Sequence, residues 1–292
     1  MFRREWGVLR PSVTVDDHGA QPSASAPGTR FAPTWCVRRS VLLLGLIWWG
    51  LAAGVPATRA AVVQTERETA YRTEKISDGA IGLRDRFTAY QLAVLEQLNR
   101  ADLEHLVRLR ELVVPESWVP DDLAYSVLPA RYLSSEPFVK LLVVHLPGQV
   151  FGAYESGALV RWGPVSSGRR SSPTPTGLLQ LNWRSIGRAS TIDPDWFMRW
   201  YFNFGNRQGL AFHEYSLPGE PASHGCVRLL ERDAQWLFEW GEAWTLDASG
   251  TRVQNPGTPV FFVGRYDFDA PPPWRSPAWL AQAVELPPLA WE

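Results

Sequence analysis

Between residues 65 and 112 the chain is charged and free of proline, with apolar side chains at Phe87, Tyr90, Val94 and Leu98 and then at Leu103, Leu106 and Leu109. Spacings of three and four place such residues on one helical face, so this stretch predicts amphipathic helices, ending in a strand-like LVVP. Pro115, Pro120, Pro129 and Pro137 then punctuate a linker, and a domain boundary is expected near residue 135. Beyond it the texture changes. Residues 139–146, 149–155 and 158–166 read as strands separated by Pro147-Gly148 and Ser156-Gly157, which is the pattern of an antiparallel meander. Residues 177–183, 210–215 and 258–263 read as further strands, and residues 231–240 as a helix with Trp236 and Trp240 one turn apart. From Tyr266 onward proline and tryptophan dominate without periodicity, so an extended surface tail is expected. The expected architecture is mainly β. A β-rich domain over 136–265 has one or two short helices, with a helical segment and linker at 61–135 before it and a tail at 266–292 after it.

The run VLLLGLIWWGLAAGV at 41–55 follows Arg38 and Arg39 and precedes Pro56 and a stretch of small residues, the layout of a secretory signal. It is shorter than the ~20 residues that span a bilayer comfortably, which favours cleavage near Ala61; a membrane tether through 41–55 is the alternative. Residues 1–60 are therefore expected to be a leader, and the protein to work in the periplasm or cell envelope. Cys36 precedes the apolar run, so it is not placed as a lipid attachment site of the usual kind. The polar extension over 1–36 fits a signal badly. With 27 Arg against 2 Lys, the composition suggests a GC-rich coding sequence in which Val37 is the true start.

Charge narrows the choice of partners. The 29 basic and 30 acidic residues nearly cancel, and the dense basic run lies in the leader, so no nucleic-acid footprint is visible. A hydrophobic content of 45% excludes a fibrous or low-complexity chain. The 15 Trp suit either stacking on sugars or a ring-rich β core. Two Cys cannot build a disulfide framework over this length, and once the leader is removed Cys226 is the remaining thiol. An unpaired thiol in an oxidising compartment is a candidate nucleophile.

Cys226 has suitable company. His213 and His224, two of five His, lie within 13 residues of it, and an imidazole is the side chain suited to take a thiol proton near neutral pH. Gly225 leaves room for substrate and for backbone N–H groups facing an oxyanion. A helix starting near Glu231 would offer its positive end to the thiolate. A metal site of His213, His224 and Cys226 would have only three ligands, and no nearby Cys or His completes a tetrahedron. A buried, inert Cys with incidental histidines is the bland alternative.

Ser223-His224-Gly225-Cys226-Val227-Arg228-Leu229, with His213 upstream on a strand, resembles the active-site signature of the L,D-transpeptidases of the YkuD type. The similarity extends to KLLVVHLPGQVFGAYESGALVRWGPVSSG, to the Thr-Pro-x-Gly turn at Pro173-Thr174-Pro175-Thr176-Gly177 and to GTPVFFVG, covering about residues 137–264. The resemblance implies a β-sandwich cysteine acyltransferase with peptidoglycan stem peptides as donor and acceptor, no cofactor or metal, and acylation by carbapenems. By position, Cys226 is the nucleophile and His213 the base. Ser223, His224 and Gly225 form the oxyanion loop, with the Gly225 and Cys226 amides as donors. Arg228 either holds a substrate carboxylate or bridges to a loop carboxylate.

Two departures stand out. The stretch between His213 and Ser223 is short, and Glu214 follows the base where Gly or Ser is common. The backbone carbonyl after the base orients the imidazole in this family, a role any residue can fill. An L,D-carboxypeptidase and an idle wall-binding module are the rival functions. The stretch LNRADLEHLVRLRELVVPESW resembles the second half of a LysM module, a glycan binder, without its Gly-Asp-Thr opening; a helical spacer accounts for the same pattern.

Overall fold

The protein is described by a computed structural model over residues 69–76, 79–190 and 196–289. The apolar run at 41–55, Cys36, and the expected start and cleavage points lie outside the described residues.

Residues 71–115 fold as β1 (Tyr71–Lys75), α1 (Gly79–Arg86), α2 (Ala89–Asn99), α3 (Leu103–Leu106) and β2 (Glu111–Pro115). β1 and β2 pair antiparallel, Tyr71 opposite Pro115 and Lys75 opposite Glu111, so the segment closes on its own sheet and is more than a helical spacer. The helices sit where the periodicity predicts them, because Thr88 and Gln91 form a capping box that starts α2. Arg100 ends α2 in the left-handed region at φ 56°. The buried Asn99 side chain then donates to Leu95 O (2.9 Å) and Val113 O (3.0 Å) and accepts from Val113 N–H (2.8 Å), fastening the helix end to β2.

The second part is a two-sheet sandwich. One sheet contains β3 (Lys140–His145), β4 (Val150–Glu155), β5 (Ala158–Pro164), β6 (Gly177–Gln180) and a late strand, Pro259–Val263, in the order β5-β4-β3-late strand-β6. The late strand lies parallel to β3, Val260 opposite Leu142, and antiparallel to β6. The other sheet contains β7 (Arg184–Ala189), β8 (Phe197–Gly205), β9 (Leu210–Glu214) and β10 (Val227–Leu229), in the order β10-β9-β8-β7. The α4 helix (Glu231–Trp240) follows β10 with the bounds its periodicity predicts. A minor ribbon, β11 (Thr245–Leu246) with β12 (Val253–Asn255), precedes the late strand, hereafter β13.

The sheets meet through one apolar layer. Leu142, Val144, Phe151, Ala153, Val260 and Phe262 come from the first sheet and Phe202, Phe204, Phe212, Val227 and Leu229 from the second, while Ala234 and Leu237 of α4 pack against them. Phe212 stacks on Phe262 at 6.0 Å, and Phe204 touches both at 5.0 and 4.8 Å. This layer holds the strand bearing His213 rigidly against the sandwich.

The tail is more deeply involved than its lack of periodicity suggests. Trp274 and Leu280, the latter in a short α5 (Pro277–Leu280), are buried with Val94 and Leu98 of α2 and Val150 and Trp162 of the first sheet. The expected surface wrap therefore fills the seam between the β1–β2 unit, with its three helices, and the sandwich. Arg100 completes that seam. Its guanidinium is fully buried between Trp162 (5.7 Å) and Trp274 (5.8 Å), and Nε donates to Gly148 O at 2.9 Å.

Candidate active site

β10 lies parallel to β9, with Val227 opposite Phe212 and Arg228 opposite His213. This register sets Cys226, the residue before β10, beside Ala211, two positions ahead of His213 on the same face of β9. The Cys226 thiol points at Gly209 O (3.8 Å) and also receives the Ala211 N–H. Cys226 and His213, the expected nucleophile and base, are thus delivered by adjacent strands, an arrangement that 13 residues of sequence separation only hinted at.

His213 is 5% exposed, and its Nδ1–H donates to Glu214 O at 2.9 Å. With Nδ1 so engaged, the lone pair sits on Nε2 and is available for a proton. Burial, reinforced by the positive charge of Arg228 and opposed by the Glu214 carbonyl, pushes the imidazole down to about 4. Burial raises the Cys226 thiol above its ordinary value, against the pull of the Ala211 N–H and Arg228. Near neutral pH both groups are therefore held in their uncharged forms, thiol and neutral imidazole.

The α4 helix does not activate the thiol as expected. β10 carries the chain away from Cys226 for about 15 Å before Glu231, at ~3.3 Å per residue. Glu231 and Asp233 occupy the first turn, and Asp233 pairs with Arg161 at 2.7 Å. A helix end acts within about a turn, so this one serves the sandwich and not the nucleophile.

The loop before β10 is braced from within and without. The Ser223 hydroxyl donates to Cys226 O (2.5 Å) and accepts from Gly225 N–H (3.1 Å). The Gly225 amide, expected as an oxyanion donor, is therefore already engaged, while Cys226 N–H makes no hydrogen bond among the described residues. Gly225 adopts φ 109°, where a side chain would be strained. The Ser223 backbone is zipped to the 166–169 segment through Ser223 N–H to Ser167 O and Arg169 N–H to Ser223 O, both 3.0 Å. Thr174, 6% exposed, accepts from Gly168 N–H and donates to Gly225 O, both at 2.9 Å. The sequence reading saw this threonine only as part of a turn, although a hydroxyl between two prolines, next to a signature loop, was the available signal.

His224 is packed beside Trp196, with ring centroids 5.5 Å apart. Arg228 stacks on Tyr215 at 4.6 Å, and its Nη1 lies 3.5 Å from Ser216 O. Among the described residues Arg228 pairs with no carboxylate, and its charge reaches Cys226, His213 and His224. Trp196 and Tyr215, 6.3 Å apart, wall this side of the site; neither was singled out from sequence, since their partners come from different strands. The short stretch after His213 is tied to the β1–β2 unit. Asp102 N–H donates to Leu217 O (3.0 Å), Leu217 N–H to Asp102 Oδ2 (2.7 Å), and Ala101 bridges to Pro218. No three His, Cys, Asp or Glu side chains converge as a metal-binding group among the described residues.

Comparison with known proteins places this geometry. Residues 139–261 match the YkuD family, described as the L,D-transpeptidase catalytic domain. No curated protein matches the chain. Among solved structures, an L,D-transpeptidase from Stackebrandtia nassauensis is 25% identical over 44% of this chain, with a TM-score of 0.36; the match spans just over half, 56%, of that protein. An L,D-transpeptidase from Xylanimonas cellulosilytica is 24% identical over 65% of this chain and 95% of its own, with a TM-score of 0.40. L,D-transpeptidase 3 from Mycobacterium tuberculosis, in complex with a faropenem-derived adduct, is 20% identical over 53% of this chain and 73% of its own, with a TM-score of 0.33. By that match, residues 139–261 of this chain are similar to the L,D-transpeptidase catalytic domain of the YkuD family.

Proposed function

We propose that this protein is an exported cysteine acyltransferase that cross-links peptidoglycan stem peptides in the periplasm or cell envelope. Cys226 Sγ attacks the carbonyl of the L-centred third residue of a stem tetrapeptide while His213 Nε2 takes the thiol proton. The tetrahedral intermediate collapses with cleavage of the C–N bond, the proton passes from His213 to the departing D-Ala amine, and a thioester remains. A side-chain amine of a second stem then attacks that thioester, giving a new amide and returning the proton to sulfur. The Cys226 N–H is the donor left for the oxyanion, and Arg228, lacking a protein carboxylate, is suited to hold one on the substrate.

The observation that carries this reading is the pairing of β9 with β10. It sets Cys226 two positions from His213 along the same face of β9, and the buried His213 imidazole has its Nδ1 committed to Glu214 O. Incubating the chain from Ala61 onward with a tetrapeptide-containing muropeptide and weighing the products tests it. A cross-linked dimer with release of D-Ala is expected. Tripeptide alone would make the protein an L,D-carboxypeptidase, and unchanged substrate with no thioester on Cys226 would refute the enzyme reading. Carbapenem should add its mass to Cys226 and not to the Cys226→Ala protein.

A further inference from the structure

We propose that Thr174 is a positioning residue that aims the Cys226 N–H at the oxyanion; the inference rests on the cysteine acyl-transfer reading above. The Thr174 hydroxyl has one proton. Its oxygen already accepts the Gly168 N–H at 2.9 Å, so that proton goes to Gly225 O, also at 2.9 Å. Gly225 O belongs to the same peptide plane as Cys226 N–H. The plane is trans, so the N–H points opposite to the carbonyl, away from Thr174. Holding the oxygen therefore sets the direction of the one loop amide that follows the signature glycine.

The plane needs such a hold. On one side is Gly225 at φ 109°, the residue type whose backbone turns with least steric resistance, and on the other is the nucleophile itself. The Ser223 hydroxyl restrains the neighbouring groups, Gly225 N–H and Cys226 O, but not this peptide. Thr174 is in turn rigid. Pro173 and Pro175 flank it, the following proline confines it to extended backbone, and Gly168 packs so closely that a Cβ there would collide with the backbone of Ser172 and Thr174. A hydrogen bond into a peptide oxygen also polarises the N–H at its other end, strengthening it as a donor.

The test separates the oxyanion from the thiol. Acylation of Cys226 by a carbapenem passes through a tetrahedral oxyanion, whereas alkylation by iodoacetamide displaces iodide and forms none. Thr174→Val keeps the shape and removes the hydroxyl. It should slow acylation ~10- to 100-fold, less than the ~10²–10³ for deleting an oxyanion donor outright. The alkylation rate and its pH profile should change less than about twofold, and Thr174→Ser should restore acylation. Should the valine variant not fold, Thr174→Ala leaves space for a water to satisfy Gly168 N–H and carries the same comparison. Equal loss of acylation and alkylation, unchanged acylation in the valine or alanine variant, or no recovery with serine would overturn the proposal. A wild-type protein that alkylates at Cys226 but never acylates would instead sink the acyl-transfer reading itself, leaving the Thr174 comparison with no rate to lose.

Discussion

Mild acid should unfold this protein through two buried histidines, His213 and His145. His145 is 9% exposed, and its Nδ1 accepts the Gly148 N–H at 3.1 Å, a bond that protonation would break. Burial, with Arg100 adding to it, pushes His145 down to about 4, the same value as His213. Both native pKa values lie below the unfolded value of ~6.5, so the unfolded chain binds more protons between pH 6.5 and 4, and stability falls as pH falls through that window. From pH 7 to 5 each imidazole should lose about 2 kcal/mol, together about 4 kcal/mol, a large share of a typical 5–15 kcal/mol. Glu214 and Asp233, whose carboxyls burial raises, act in the opposite sense, so the histidine share is isolated by difference. Urea unfolding of the chain from Ala61 at pH 7 and 5, at one ionic strength, should give the slope. His145→Asn, whose Oδ1 can still accept the Gly148 N–H, and His213→Gln should each flatten it by about 2 kcal/mol. If the double variant keeps the wild-type dependence, neutral buried imidazoles are not its source.

Loss of His213 in His213→Ala should slow Cys226 acylation by ~10²–10⁴-fold, and His224→Ala by far less; the reverse order, read by stopped mass measurements, would exchange their roles. Arg161→Met should cost about 3–5 kcal/mol because it strands the Asp233 carboxylate, which is fully buried, whereas Asp233→Asn should cost much less, since Arg161 is 29% exposed and can turn to water. Equal costs in thermal unfolding would contradict that asymmetry. Gly225→Ala meets the Leu210 side chain at 3.0 Å, a flexible neighbour, so its penalty should come mainly from φ 109° and amount to ~1–3 kcal/mol with loss of acylation. Acylation at wild-type rate in that variant would show that the glycine conformation is not required.

The chain alone determined its strongly periodic elements and which residues are candidates for chemistry. The α4 helix is legible from its one apolar face, and the strands β3, β4, β5, β9 and β13 from short apolar runs set off by Gly or Pro, with β3 and β4 buried on both faces. Cys226 and His213 are legible because a lone thiol and an imidazole are rare enough to stand out. Elements without such contrast were invisible. β1 buries only Tyr71 among charged neighbours, and β7 and the first four residues of β8 run between exposed and half-buried positions. Tertiary structure also decided everything that depends on long separations in the chain. The tail became a seam because Trp274 meets Leu98 and Trp162, the short loop after His213 found its anchor in Asp102, and the thiol lost its expected helix because β10 runs away from it. The Ser223–Cys226 loop shows the same division. Its residue types were readable, but which amide stays open was set by the hydroxyls of Ser223 and Thr174, because a hydrogen bond is a matter of direction in space and leaves no period in a sequence.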